Sequence, residues 1–366
     1  MTSDFATTLH TIPLIRVEGT YREVGAQIGD ACGDVLQRAV TFDDELPGGR
    51  SRSEQLALAA RYREIVAGAM PWVLEEVDGA ADAAEVDPLA LFACTVEEIW
   101  YEPRGTSVEP SIVGRCSDLV AVAPATADGH VLVAHNNDLS PRYREELVAI
   151  ERRIPGDPNV FTIGNGILIS VGWNDAGLSL TGNELAPNDE RIGIPRELQV
   201  RAMLRDTSLD AMVGTALCHD RASSYNNVLA SSDGTVVNVE GSATSVEMTE
   251  PDDRGHLAHT NHYVCDSMLP YEGDPVYAER SAIRYARAGE LLAAQPDGSI
   301  TEDVLREMLS DHEHAPDSLC RHPVEGANGS VTCFWCIADV TDMRVTFGRG
   351  NPCDSVAQEF AFTETR

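Results

Sequence analysis

The chain has 366 residues and no lysine; all 27 of its basic residues are arginine, and 59 acidic residues leave a formal net charge of −32. A surface of that sign repels nucleic acid and anionic lipid headgroups, so neither is an expected partner. Lysine-free, acidic composition fits either a GC-rich genome or a salt-rich cytoplasm. Long apolar runs are missing as well, and none approaches the roughly 20 residues that span a bilayer. Met1 to Val17 carries Asp4 early and has no basic region followed by an apolar one, so no secretory signal is expected. Cysteine lacks any framework spacing: the nine, at 32, 94, 116, 218, 265, 320, 333, 336 and 353, are odd in number and scattered. That fits a reduced, cytoplasmic protein better than a disulfide scaffold. Also missing are a P-loop, a Rossmann glycine pattern, a serine nucleophile elbow and an HExxH zinc spacing, and no cofactor is expected.

What is present is enough apolar residue, 43% of the chain, to bury a sizeable core. Residues 12–20 read as a strand and turn. From Arg22 the apolar spacing becomes helical, with Val24, Ile28, Cys32, Val35 and Leu36 on one face. Pro47-Gly48-Gly49 breaks the chain, helical periodicity returns over 53–78 and 87–101, and Pro103 to Pro110 reads as a loop. Beyond Cys116 the texture changes to short apolar runs separated by Gly, Asn and Asp: 117–124, 130–137, 160–164, 167–173 and 177–182. A helical block, Pro195 to Leu217, interrupts. Strand-like runs resume at 224–231, 235–241 and 244–248, helices at 276–295 and 301–311, and two last strands at 330–339 and 343–348. Strands in consecutive runs with helices grouped outside them favour antiparallel sheets with outer helical layers over a βαβ alternation. No internal repeat, low-complexity tract or linker divides the chain.

The stretch with most chemistry is Gly114-Arg115-Cys116-Ser117-Asp118-Leu119-Val120, continuing to His135-Asn136-Asn137-Asp138. It reads as a hairpin with a thiol at the start of its first strand and a carboxylate at its far end. A core cysteine is more often found in mid-strand. Two asparagines sit at strand ends, Asn183 after Leu178–Thr181 and Asn226 before Val228–Ala230, where turn chemistry alone would explain them. Arg321 follows Ser318-Leu319-Cys320 and reads equally well as a surface arginine. Asp311-His312-Glu313-His314 and Cys333-Phe334-Trp335-Cys336 raise a rival: a zinc hydrolase using His312, His314, Cys333 and Cys336. Cys333 and Cys336 lie in an apparent strand, where residues three apart face opposite ways, so no metal site is assigned.

Taken in order, these pieces resemble the acyl-coenzyme A:6-aminopenicillanic acid acyltransferase family of N-terminal-nucleophile hydrolases. Glu18-Gly19-Thr20-Tyr21-Arg22-Glu23-Val24-Gly25 resembles its opening, and Cys116-Ser117, Ala127-Asp128-Gly129 and His135-Asn136-Asn137-Asp138 its nucleophile hairpin. Gly172-Trp173-Asn174-Asp175-Ala176-Gly177-Leu178 with Asn183 resembles the next hairpin, and Ala222-Ser223-Ser224-Tyr225-Asn226 a second asparagine site. His259-Thr260-Asn261-His262, then Asp311-His312 with Ser318 to His322, and Gly348 to Cys353 complete the set.

The resemblance implies a four-layer αββα fold, two antiparallel sheets between helical layers. It implies a proenzyme that cuts itself between Arg115 and Cys116 into a helical segment, 1–115, and a nucleophile-bearing segment, 116–366, which stay associated as one domain. Cys116 would then form a thioester with the acyl group of a small N-acyl amide, its own α-amine taking the proton; an α-amine pKa near 8 suits that task. Asp138 would orient the amine, Arg321 would favour the thiolate, and Asn226 with Asn183 would donate to the oxyanion. Family substrates range over β-lactam side chains, β-alanyl amides and other small N-acyl compounds, with water or an amine as acceptor. An uncut, non-catalytic binding relative is the remaining alternative. One position departs from the family pattern: Arg115 stands where glycine, with its freer backbone, usually precedes the nucleophile.

Overall fold

Along the strand from Arg115 to Ala121, side chains alternate between two different cores, and that alternation shows how the molecule is layered. Leu119 and Ala121 pack with helical residues, while Val120 packs against a second sheet. The computed structural model describes residues 10–42, 51–100, 115–324 and 329–362. The breakers Pro47-Gly48-Gly49 and the loop Pro103–Pro110 lie outside them.

The first part of the chain gives β1 (Leu14–Glu18), then helices α1 (Tyr21–Phe42), α2 (Arg52–Ala69), α3 (Pro71–Ala83), α4 (Pro88–Cys94) and α5 (Glu97–Trp100). There follow β2 (Arg115–Ala121), β3 (Leu132–Leu139), the turn α6 (Tyr143–Glu146), β4 (Val148–Arg153), β5 (Val160–Asn165), β6 (Leu168–Asn174) and β7 (Leu178–Asn183). Helices α7 (Arg196–Met203) and α8 (Leu209–Ala216) precede β8 (Asn226–Ser231), β9 (Val236–Gly241), β10 (Val246–Thr249) and β11 (His256–His259). The chain closes with α9 (Pro275–Ala293), α10 (Glu302–Leu309), β12 (Val331–Asp339), β13 (Arg344–Arg349) and β14 (Gln358–Ala361).

One sheet runs β1-β4-β5-β6-β7-β8-β9-β10 and the other β11-β2-β3-β12-β13-β14. Their inner faces meet through Val120, Val133, Phe334 and Phe347 on one side and Phe161, Ile163, Val171 and Val228 on the other. Helices α1 to α4 cover the outer face of the first sheet at β1 and β4, and α7 with α8 cover it from β5 to β9. Helices α9 and α10 cover the outer face of the second sheet. The expected αββα layering is therefore present. The expectation of wholly antiparallel sheets needs one correction: β1 pairs with β4 in parallel.

Several elements differ from what periodicity predicts, each for a local reason. The helix expected over 53–78 is two, because Pro71 lacks an N–H and pushes Met70 out of helical geometry (φ −140°, ψ 56°). The block Pro195–Leu217 is also two helices, the second started by Ser208, whose hydroxyl accepts from the Ala211 N–H. Strands β4, β11 and β14 carry no apolar alternation that reads as strand in sequence. Close crossing of α1 and α3 requires glycine: a Cβ on Gly25 would lie 1.9 Å from the Glu76 carbonyl oxygen, and one on Gly79 2.2 Å from that of Arg22.

Candidate active site

Cys116 is the second residue of β2, and the strand pairings assemble its surroundings. In the β2–β3 ladder Cys116 opposes Asn137 and Arg115 opposes Asp138. On the other edge β11 pairs His259 with Asp118, which carries the next residues, Thr260 and Asn261, alongside Cys116. The thiol is buried, with the Asn137 amide Nδ2 at 3.7 Å from Sγ.

Both main-chain groups of Cys116 are held by side chains. Its N–H donates to Asn261 Oδ1 at 2.7 Å, and its carbonyl accepts from the Arg284 guanidinium at 2.6 Å. Arg284 also donates to Ser117 Oγ at 2.9 Å and to Asn261 Oδ1 at 2.9 Å, while Asn261 Nδ2 donates to the Glu184 carbonyl at 3.1 Å. The Cys116 nitrogen is a peptide amide in this chain. Burial, reinforced by the charge of Asp138, pushes the thiol well above its ordinary pKa.

Asp138 lies one residue beyond the cross-strand partner of Cys116, so its carboxylate emerges on the face opposite Asn137. There Oδ1 accepts from Thr332 Oγ1 at 2.7 Å, and Oδ2 is 3.8 Å from Arg321 Nε. Burial raises its pKa above the ordinary carboxylate value, and the charges of Arg321 and Arg284 oppose that rise. Arg321 is buried, not a surface arginine. It meets Asp317 Oδ1 at 3.3 Å, and Arg115 and Arg280 meet the same oxygen at 3.0 Å each. Burial pulls the Asp317 pKa up, but Arg280 and Arg321 hold it below the usual range. Arg115 is desolvated and crowded by Arg321 and Arg280, and its pKa is lowered to about 10.

Asn183 and Asn226 oppose each other in the β7–β8 ladder, across the sandwich where β7 faces β2. Asn226 Nδ2 donates to Asn183 Oδ1 at 3.2 Å, and that oxygen is 2.9 Å from His259 Nδ1. His259 Nε2 lies 2.7 Å from Glu240 Oε1. Asn183 Nδ2 and Asn226 Oδ1 are buried without a hydrogen-bond partner. One unspent amide donor therefore remains in this pair. The residue after Asn183 is Glu184, whose carbonyl holds Asn261, so the pair borders the Cys116 cluster.

The sequence pattern assigns no role to Asn261 or Arg284. Asn261 lies inside the quoted His259–His262 stretch. Arg284 had a readable signal: it falls on the buried stripe Tyr277, Ser281, Arg284, Ala288, Leu292 of α9, where an arginine needs a buried reason to be. Asp118 and His135 form a further buried pair, Oδ1 to Nδ1 2.9 Å, directly opposite each other in the ladder. The rival zinc set does not assemble. Among the described residues His314, Cys333 and Cys336 join no ligand cluster, and the bulge at Cys333 turns its thiol onto the Leu139 and Ser140 carbonyls.

Buried, mutually bonded polar side chains cluster around Cys116. Residues 125–354 match the acyl-coenzyme A:6-aminopenicillanic acid acyl-transferase family, and the chain belongs to it. The match begins just beyond Cys116 and includes Asp138, Asn183, Asn226, Asn261, Arg284 and Arg321. Membership makes the protein an enzyme of acyl-amide chemistry, a hydrolase or acyltransferase. Similar solved structures, at low identity, include the following two. A mutant of conjugated bile acid hydrolase from Clostridium perfringens is 10% identical with a TM-score of 0.44, covering 68% of this chain and 98% of its own. Penicillin V acylase from Agrobacterium tumefaciens is 12% identical with a TM-score of 0.44, covering 68% and 87%.

Proposed function

We propose that the chain is a self-processing cysteine amidohydrolase or acyltransferase with Cys116 as its nucleophile. The observation that carries this reading is the pair of side chains on the Cys116 main chain, Asn261 on its N–H and Arg284 on its carbonyl. Buried main-chain groups need partners in any case, but here the partners are an amide oxygen and a guanidinium, which also suit a new N-terminus at Cys116. Scission begins with the Cys116 thiol attacking the Arg115 carbonyl. The peptide nitrogen takes a proton and leaves as the α-amine, and water hydrolyses the resulting ester of the thiol. The freed amine inherits the Asn261 Oδ1 contact, which turns its N–H outward and its lone pair toward the thiol.

In turnover the amine accepts the thiol proton as sulfur attacks the amide carbonyl of a small N-acyl substrate. The leaving amine takes that proton, and the thioester passes its acyl group to water or to an acceptor amine. Asp138, aided by Arg321, orients and stabilises the protonated amine. The Asn183–Asn226 pair, with its unspent donor, serves the oxyanion, a contribution worth roughly 3–4 kcal/mol of barrier per donor. Asp317 ties down Arg115 and so supplies by anchoring what glycine supplies elsewhere by backbone freedom.

The two cut segments remain one body in this reading, because they share a core: Val17 and Ile28 from the first pack with Ile150 and Leu198 from the second. The test is the mass of freshly expressed protein beside Cys116→Ala. Two fragments from the parent and one full-length chain from the variant are expected; a parent that stays whole and is not labelled at Cys116 by thiol reagents supports an uncut binding protein instead.

A further inference from the structure

Away from the nucleophile, four ligand-type side chains converge, from the segments between α10 and β12 and just after β13. His312 follows the end of α10, Cys320 and His322 lie in the segment leading to β12, and Cys353 follows β13. Their ligand atoms, His312 Nε2, Cys320 Sγ, His322 Nε2 and Cys353 Sγ, all lie within 4.8 Å of one another. The two imidazole nitrogens are 3.0 Å apart and the two sulfurs 3.7 Å; His322 Nε2 is 3.6 Å from Cys320 Sγ and 3.4 Å from Cys353 Sγ.

These separations can be compared with what a metal would impose. Bonds of about 2.3 Å to sulfur and about 2.05 Å to nitrogen, set at tetrahedral angles, put sulfurs about 3.8 Å apart and nitrogens about 3.3 Å apart. They put sulfur and nitrogen about 3.6 Å apart. The four measured edges follow that pattern to within a few tenths of an ångström. Cys320 is buried, and its sulfur also receives the Asn351 amide, Nδ2 to Sγ 3.3 Å. A donor outside the ligand set, aimed at the sulfur, is what orients and stabilises a metal-bound thiolate. His312, His322 and Cys353 are exposed, so an ion can enter from solvent.

We propose that His312, Cys320, His322 and Cys353 form a Cys2His2 site for a structural Zn2+. Two thiolates and two neutral imidazoles are the donor set this ion prefers, and four protein ligands leave no open position for catalysis. Binding displaces the two thiol protons to solvent and forms four bonds with no change of oxidation state. The site joins the end of α10, the approach to β12 and the turn after β13. Arg321 sits between two of its ligands, so the metal fixes the segment that presents this guanidinium to Asp138 and Asp317. Of the residues that the sequence spacing offers to zinc, His312, His314, Cys333 and Cys336, only His312 belongs to this set.

The test uses the full chain, purified under reducing conditions from zinc-supplemented cells and passed into metal-free buffer. Elemental analysis should find about one zinc per chain, and the double variant His312→Ala, Cys353→Ser should hold less than about a tenth of that. Removal of zinc by a chelator should lower the melting temperature. Cobalt added to the stripped parent should give the intense visible bands of tetrahedral coordination and a thiolate charge-transfer band in the near ultraviolet. The cobalt spectrum decides the matter even where the double variant fails to fold. Absence of stoichiometric zinc together with octahedral cobalt spectra overturns the proposal. So does a freshly prepared chain lighter by two hydrogens, with Cys320 disulfide-bonded to Cys353.

Discussion

At the residue scale, Asp138 is where a single atom change separates chemistry from folding. Asp138→Asn keeps the shape and the Thr332 contact but removes the charge facing Arg321. Turnover should fall by about a hundredfold or more, the scale of a lost proton-handling group. The melting temperature should change little, since ionising the buried carboxyl is itself costly. Near-parental rates would remove Asp138 from the mechanism. Arg115 makes a separate prediction through its partner: Asp317→Asn frees Arg115, Arg280 and Arg321 from a shared carboxylate. If anchoring replaces glycine, the half-time of self-cleavage in pulse-labelled cells should lengthen severalfold; an unchanged half-time shows that the anchor plays no part. Cys116 and Asp138 stand out as candidates in sequence because both sit in one local hairpin. Asn261 and Arg284 do not stand out in the same way: Arg284 shows only as an arginine on a buried helical stripe, and what defines both is Cys116, which only β11 and α9 bring alongside.

At the element scale, the same limit explains β4. Its sequence, Val-Ala-Ile-Glu-Arg-Arg, puts Glu151 and Arg152 at buried positions, which reads as exposed or irregular chain until their partners are known. Arg152 Nε donates to Glu76 Oε1 at 3.0 Å and Arg201 to Glu76 Oε2 at 2.9 Å, all three side chains buried. This triad joins α3, β4 and α7. Glu76→Ala strands two guanidinium groups and should cost about 3–5 kcal/mol in denaturant unfolding, as breaking a buried ion pair does. By contrast α1, α9 and α10 were legible because their apolar stripes need no distant partner.

Helix α7 supplies a pH prediction. Glu197 is buried near Glu97, and its pKa is raised from 4.5 to about 8, first by desolvation and then by that charge. Below pH 4.5 the carboxyl is protonated whether the chain is folded or not. Between 4.5 and 8 only the unfolded chain ionises it, so this group's contribution to stability falls as pH rises through that window. Glu197→Gln keeps the Ile169 N–H bond to Oε1 and removes the titration. The variant should match the parent near pH 5 and exceed it near pH 8, by on the order of 4 kcal/mol at most. Equal melting curves at both pH values would show that Glu197 ionises freely.

At the scale of the whole molecule, a net charge of −32 with no lysine makes a surface that repels itself. Raising potassium chloride toward about 1 M shortens the screening length to about 3 Å and should raise the melting temperature steadily. A flat or falling curve would leave genome composition as the reason for the missing lysines. No helix among the described residues is long and apolar enough to cross a membrane. Grouped strands with helices outside them were legible in the pattern, whereas the four-layer order came from the family resemblance; the parallel β1–β4 pair was legible in neither, since it joins the two segments that the proposed cut separates.

That cut is the centre of the account, and one measurement reaches it most directly: the intact mass of freshly expressed parent and of Cys116→Ala, taken in parallel under denaturing conditions. The account predicts two fragments meeting at the Arg115–Cys116 bond in the parent, eluting together before denaturation, and a folded full-length chain in the variant. Scission at that bond in Cys116→Ala would contradict it, because the break would then belong to another protease and the thiol would lose its role.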